Sequence, residues 1–126
     1  MAQAVRWSFQ TRTSLGAQPS TRHGLANVES IAAVEGIDVL WVGHFDLSNF
    51  LGIPARFDDP RFDAAMRRVA EAAGRHGKAA GFMATDRAWV ERVRAMGYTM
   101  IAVGTDPGLL GAAVGQLVGA VDEARR

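Results

Sequence analysis

The chain has 126 residues, 48% hydrophobic and 8% aromatic, with 14 Lys+Arg against 13 Asp+Glu and no cysteine. That length suits one ordinary domain, the apolar fraction excludes wholesale disorder, and a formal net charge of +1 leaves no electrostatic footprint for nucleic acid. Without cysteine there is no disulfide scaffold, thiolate-held zinc or thiol nucleophile. The longest charge-free apolar stretch, Pro107 to Val121, is too short to span a bilayer. A cytoplasmic chain with neither nucleic acid nor membrane as partner is expected.

Residues 1–28 carry Arg6, Arg12 and Arg22 with no acidic residue, and every Asp and Glu follows them. The segment 1–26 shows neither helical nor alternating periodicity. Its Arg- and Ser-rich, acid-poor start resembles an organelle targeting segment, but no amphipathic helix emerges from it. It is therefore expected to stand outside the folded pattern, which occupies 27–126.

From Asn27 onward the elements follow one another. Asn27 or Ser30 caps a short helix through Val34, ended by Gly36. Ile37 to Val42 is a β-branched and aromatic run, the mark of a strand buried on both faces. Gly43 stops it, and His44 to Leu51 suggests a short helix directly off the strand. Asp59-Pro60 starts the next helix, with an apolar stripe of Phe62, Met66, Val69 and Ala73, closed by His76-Gly77. Lys78 to Ala84 is a second strand. Asp86 caps a helix bearing Val90, Val93 and Met96, ended by Gly97. Tyr98 to Val103 is the third strand, and Asp106-Pro107 opens a last helix carrying Leu110, Ala113, Val114, Leu117 and Val121. Buried strands alternating with amphipathic helices mean a parallel α/β sheet with right-handed crossovers.

Ligand sites of such sheets lie at the carboxyl ends of the strands. That rule selects Gly43 to Leu47, Met83 to Asp86, and Gly104 to Asp106. Helix capping accounts for Asp86 and Asp106. Asp46 stands beside the N–H groups that open a short helix, after a glycine that allows close backbone approach. A carboxylate and an anion-favouring turn together suit either a divalent cation with an acid substrate or simple capping. His44, at the same strand end, suits a base, a substrate ligand or a structural role. Lys78, the only lysine, lies at the opposite end of its strand, which argues against Schiff-base chemistry.

Several runs carry a family resemblance. They are Asn27-Val28-Glu29-Ser30-Ile31 with Val34-Glu35-Gly36-Ile37-Asp38, and Val42-Gly43-His44-Phe45-Asp46-Leu47-Ser48 with Leu51-Gly52. They continue with Gly77-Lys78-Ala79-Ala80-Gly81-Phe82-Met83-Ala84-Thr85-Asp86 and Ala102-Val103-Gly104-Thr105-Asp106 with Gly108-Leu109-Leu110. Residues 27–118 are similar to the C-terminal part of the metal-dependent pyruvate aldolases of the HpcH/HpaI family. The resemblance implies a TIM (β/α)₈ barrel of about 250 residues, of which this chain supplies about three strands.

It also implies reversible aldol cleavage of a 4-hydroxy-2-oxo acid to pyruvate and an aldehyde, with a divalent cation (Mg²⁺, Mn²⁺ or Co²⁺) as Lewis acid. By the same resemblance Asp46 matches the metal ligand, while Gly43, His44, Phe45 and Met83 belong to the substrate pocket. The family's second ligand is a glutamate in a Glu-Thr-Arg context; Ser20-Thr21-Arg22 occupies that register here, which weakens the metal site. The family's catalytic histidine and arginine belong to the N-terminal half, so no catalytic residue is assigned in this chain. His44 does not replace that histidine, because its position tolerates variation in the family.

The expected activity of the chain alone is impaired or nil. The alternatives are a non-catalytic half-barrel that associates with itself or with a separate N-terminal half, and a citrate-lyase-like CoA thioester lyase. A homo-oligomer is expected where the full barrel is present.

Overall fold

The computed structural model describes residues 14–125. Four strands, β1 (Gly16–Ala17), β2 (Val39–Val42), β3 (Ala79–Ala84) and β4 (Met100–Val103), lie side by side in chain order. Every adjacent pair is parallel. Six helices connect or follow them: α1 (Arg22–Ala26), α2 (Val28–Ala32), α3 (His44–Phe50), α4 (Pro60–Arg75), α5 (Arg87–Ala95) and α6 (Asp106–Ala124). This is the architecture of the C-terminal portion of a (β/α)₈ barrel.

The expected count of about three strands is one short. β1 falls inside the stretch that shows no periodicity, because two residues cannot display an alternation and Gly-Ala lacks the β-branched signature of a strand. Pairing with β2 sets its position. The amide of Asp38 donates to the Leu15 carbonyl at 2.8 Å, and the Leu15 amide donates to Asp38 Oδ2 at 3.0 Å. Residues 14–26 thus continue into the sheet and α1; the rest of the expected N-terminal stretch, 1–13, lies outside the described residues.

The core sits between the sheet and its helices. α4 buries Phe62, Met66, Val69 and Ala73, the stripe its spacing predicts, against Leu40, Val42, Ala80 and Phe82. Asp59 caps it by accepting from the Arg61 amide at 3.0 Å, with Pro60 in the first turn. A positive φ of 65° at Gly77 turns the chain back into β3. Tyr98 is buried there too, its hydroxyl donating to the Met66 carbonyl at 3.0 Å. Burial pushes that phenol's pKa up, so it stays a donor.

The other face of the sheet carries Val39, Trp41, Met83 and Met100. Gly81 lies on this face, where a Cβ would meet Trp41 Cε3 at 2.5 Å; the absent side chain lets the indole lie flat across the strand.

Two expectations about the last helix are corrected. Thr105, not Asp106, is the N-cap residue, and it makes no side-chain cap bond; Asp106 sits in the first turn, where its charge suits the positive helix end. The predicted stripe is not buried: Leu110 is 67% and Leu117 70% exposed, and no residue of α6 is buried. A barrel helix packs over the seam between its own strand and the next. No described strand follows β4, and α6 buries none of its residues.

Candidate functional site

The carboxyl ends of β1, β2 and β3 converge, as a parallel sheet requires. After β1 the chain runs through Gln18, Pro19 and Ser20, of which Pro19 and Ser20 are buried. After β2 it turns through Gly43 into α3. The amide of Gly43 donates to Ser20 Oγ at 3.0 Å, and Gln18 Nε2 donates to Asp46 Oδ2 at 3.0 Å. Two hydrogen bonds therefore link the end of β1 to the turn after β2.

Gly43 is where these groups meet. A Cβ there would stand 2.3 Å from Gln18 Nε2 and 2.9 Å from Asp46 Oδ2. Its φ of −83° is open to any residue, and both atoms end flexible side chains, so a Cβ there would displace the Gln18 amide from Asp46 rather than strain the backbone. α3 is held from below by Ser48, whose hydroxyl donates to the Phe45 carbonyl at 2.8 Å and accepts from the Ala55 amide at 3.1 Å. That brace fixes the turn bearing Asp46.

The structure brings the sequence-selected residues together. Gly43, His44, Phe45, Asp46 and Met83 line a single cavity of about 210 Å³, with Trp41 as its apolar wall. Asp46 and Phe45 are exposed, Met83 is half-buried and His44 is buried.

The His44 ring packs against Phe45, Phe82, Phe57 and Trp89, with centroids 4.5, 5.1, 5.4 and 5.9 Å away. Burial among these rings lowers its pKa, only partly opposed by the negative charge of Asp46. The imidazole serves as an aromatic plug between the strand end and α5.

A larger cavity, about 630 Å³, lies between the 55–60 loop and α5 and includes none of residues 43–46. Its charges are matched internally. Arg92 pairs with Asp63 at 2.6 Å and stacks on Trp89 at 4.9 Å, Asp59 holds Arg61 at 2.9 Å, and Asp86 caps α5 through the Trp89 amide at 2.9 Å. Asp86 acts as the cap its sequence context predicts. Lys78 sits at the opposite end of β3, with Nζ donating to the Val34 carbonyl at 3.4 Å.

Gln18 is the site residue that the sequence did not reveal. It lies in a stretch without periodicity, and only the β1–β2 register carries it to Asp46.

The sequence profile of the family described as HpcH/HpaI aldolase/citrate lyase matches residues 4–113. The chain belongs to the HpcH/HpaI family. It is 36% identical over 107 residues to a 5-keto-4-deoxy-D-glucarate aldolase of Klebsiella pneumoniae, covering 85% of this chain and 42% of that protein. A hydroxypyruvate/pyruvate aldolase of Pseudomonas aeruginosa is 32% identical, covering 94% of this chain and 47% of that one.

Among solved structures, an HpcH/HpaI aldolase/citrate lyase family protein of Burkholderia cenocepacia superimposes with a TM-score of 0.80 at 35% identity, covering 90% of this chain and 43% of that chain. The chain therefore spans less than half the length of each of these three proteins. Its family is one of lyases and aldolases. No helix among the described residues is long and apolar enough to cross a membrane.

Proposed function

We propose that this chain carries the Asp46 side of an aldolase site for 4-hydroxy-2-oxo acids, cleaved to pyruvate and an aldehyde, and that alone it is inactive or nearly so. The single observation that carries this reading is the shared cavity of Gly43, His44, Phe45, Asp46 and Met83 at the strand ends. In that cavity Met83 and Trp41 offer an apolar wall to the short carbon chain of a 2-oxo acid. Phe45, exposed at the mouth, limits what fits beyond it. His44 shapes the floor, its ring packed among Phe45, Phe57, Phe82 and Trp89.

A divalent cation (Mg²⁺, Mn²⁺ or Co²⁺) would supply the positive charge that holds the enolate of the 2-oxo acid. The residues present do not fit one. Such an ion takes about six oxygens in octahedral geometry, with one or two free carboxylates beside waters and substrate oxygens. Here one oxygen of Asp46 accepts from Gln18, the Ser20 hydroxyl accepts from Gly43, and no cluster of three His, Asp or Glu exists among the described residues. The chain's own contribution is thus the shaped pocket and one carboxylate.

A chimera tests this reading. Residues 14–126 would replace the corresponding part of the Pseudomonas aeruginosa hydroxypyruvate/pyruvate aldolase, with and without Ser20→Glu. Pyruvate release by the Ser20→Glu chimera, lost on adding Asp46→Ala, is the expected result. A folded chimera that releases none contradicts the reading.

A second reading, a half-barrel that associates with a copy of itself or with a separate N-terminal half, is favoured by the exposed apolar surface of α6, with Leu109, Leu110, Val114, Leu117, Val118 and Val121.

A further inference from the structure

We infer that two hydrogen bonds, Gly43 N–H to Ser20 Oγ and Gln18 Nε2–H to Asp46 Oδ2, form a clamp that stands in place of a divalent cation, so that Asp46 takes no cation in this chain. The inference rests on the reading of Asp46 as the cation-side carboxylate and deepens it.

Three observations carry it. First, Ser20 is 3% exposed and its oxygen is engaged by the Gly43 amide at 3.0 Å, so it points into the turn rather than toward a shared ion. A hydroxyl is in any case a poor replacement for a carboxylate, since it brings no charge to offset an ion's dehydration. Second, Asp46 Oδ2 already holds a donor, the Gln18 amide at 3.0 Å.

Third, that amide stands close against the Gly43 backbone. Its nitrogen lies 2.3 Å and Asp46 Oδ2 2.9 Å from where a Cβ of Gly43 would be, so the backbone, the amide and the carboxylate are in mutual contact. An ion on Oδ2 would have to displace the Gln18 amide and would gain one carboxylate in return. The clamp does the structural part of a metal's work instead: it ties the end of β1 to the turn after β2.

The test uses the full chain and Mn²⁺ as probe. Calorimetric titration with MnCl₂ is expected to show no saturable binding up to about 1 mM, the weak limit for oxygen-ligand sites. The Gly43 amide is expected to be protected from hydrogen exchange, and to exchange about tenfold faster or more in Ser20→Ala, where its acceptor is gone. Ser20→Glu, which restores a second carboxylate, is expected to melt about a few degrees higher with 1 mM Mn²⁺ than without, whereas the unsubstituted chain does not respond.

Saturable Mn²⁺ binding by the unsubstituted chain, lost in Asp46→Asn, would overturn the inference. So would a Gly43 amide that exchanges freely. Neither result involves pyruvate, so failure here is distinct from failure of the aldolase reading, which the chimera decides. Should Ser20→Glu not fold, the titration and the exchange rates of the unsubstituted chain still decide the matter.

Discussion

Gln18 and Asp46, 28 positions apart, share a hydrogen bond of 3.0 Å that crosses from the end of β1 to the first turn of α3. It joins the shortest strand of the sheet to the one helix that carries a candidate site carboxylate. β1 is two residues long and pairs with β2 at only two positions, so side-chain ties at its end matter to its placement. Replacing Gln18 by Ala is expected to cost about 0.5–1 kcal/mol, the net worth of one exposed hydrogen bond. Chemical denaturation checks the magnitude, and an unchanged midpoint would contradict the tie.

The flat packing of Trp41 on Gly81 gives a sharper structural prediction. A Cβ at position 81 would stand 2.5 Å from Trp41 Cε3 and 2.9 Å from Val39 Cγ1. Gly81→Ala must therefore displace the indole, at a cost of about 1–3 kcal/mol for overpacking. Trp41 also walls the candidate cavity, so the variant is expected to shift tryptophan emission along with the melting temperature. Emission identical to that of the parent chain would show that the ring does not rest on the strand.

Acid should act through His44 before it acts through the carboxylates. Burial lowers the folded-state pKa of this ring, so below about pH 6.5 the unfolded chain takes up a proton that the folded chain does not. Stability attributable to His44 is full above that value and falls as pH drops below it toward the lowered folded-state pKa. Glu29 and Asp59, both with lowered pKa from arginine partners, lose their contributions only at more acid pH. The variant His44→Phe keeps the aromatic plug and is expected to flatten the pH 5–7 part of the stability curve. Equal slopes in the two proteins would rule out a buried neutral ring.

In the core, Phe62 is fully buried between α4 and the aromatic rings of Phe57 and Trp89, at centroid distances of 5.4 and 6.3 Å. Phe62→Ala is expected to cost about 3–5 kcal/mol. Tyr98→Phe removes the donor to the Met66 carbonyl and is expected to cost about 1 kcal/mol. The ratio of the two, read from urea midpoints, separates cavity formation from hydrogen-bond loss.

The exposed apolar side of α6 predicts concentration-dependent association. Light scattering of the chain is expected to show species larger than the 13.5 kDa monomer. A Leu110→Glu/Leu117→Glu variant, altered at two of its most exposed positions, is expected to lower that mass. A monomer in both proteins would leave the association reading without support.

How much of this was legible before the structure differs by element, for physical reasons. α4 was readable because its capping aspartate, its first-turn proline and its apolar spacing all record local chemistry. β2 and β3 were readable because strands buried in a parallel sheet are continuous apolar runs, and their ends place Gly43, Asp46 and Met83 together; β4 reads the same way from its apolar run, although most of its residues are exposed. β1 was not readable, since Gly16-Ala17 is a strand only by virtue of its pairing with Val39 and Leu40. Gln18 was hidden for the same reason. Periodicity also predicted a buried stripe on α6; it records which face is apolar, not whether anything covers it. His44 carried an open choice among base, ligand and core residue, and only the four surrounding rings place its side chain.

The central claim is that this HpcH/HpaI chain presents the Asp46 side of an aldolase site without completing it. The direct measurement is pyruvate release from a 4-hydroxy-2-oxo acid by the purified chain in the presence of Mn²⁺, followed by a coupled reduction of pyruvate. No release above the uncatalysed rate is predicted. Release that a chelator abolishes and that Asp46→Ala eliminates would contradict the account.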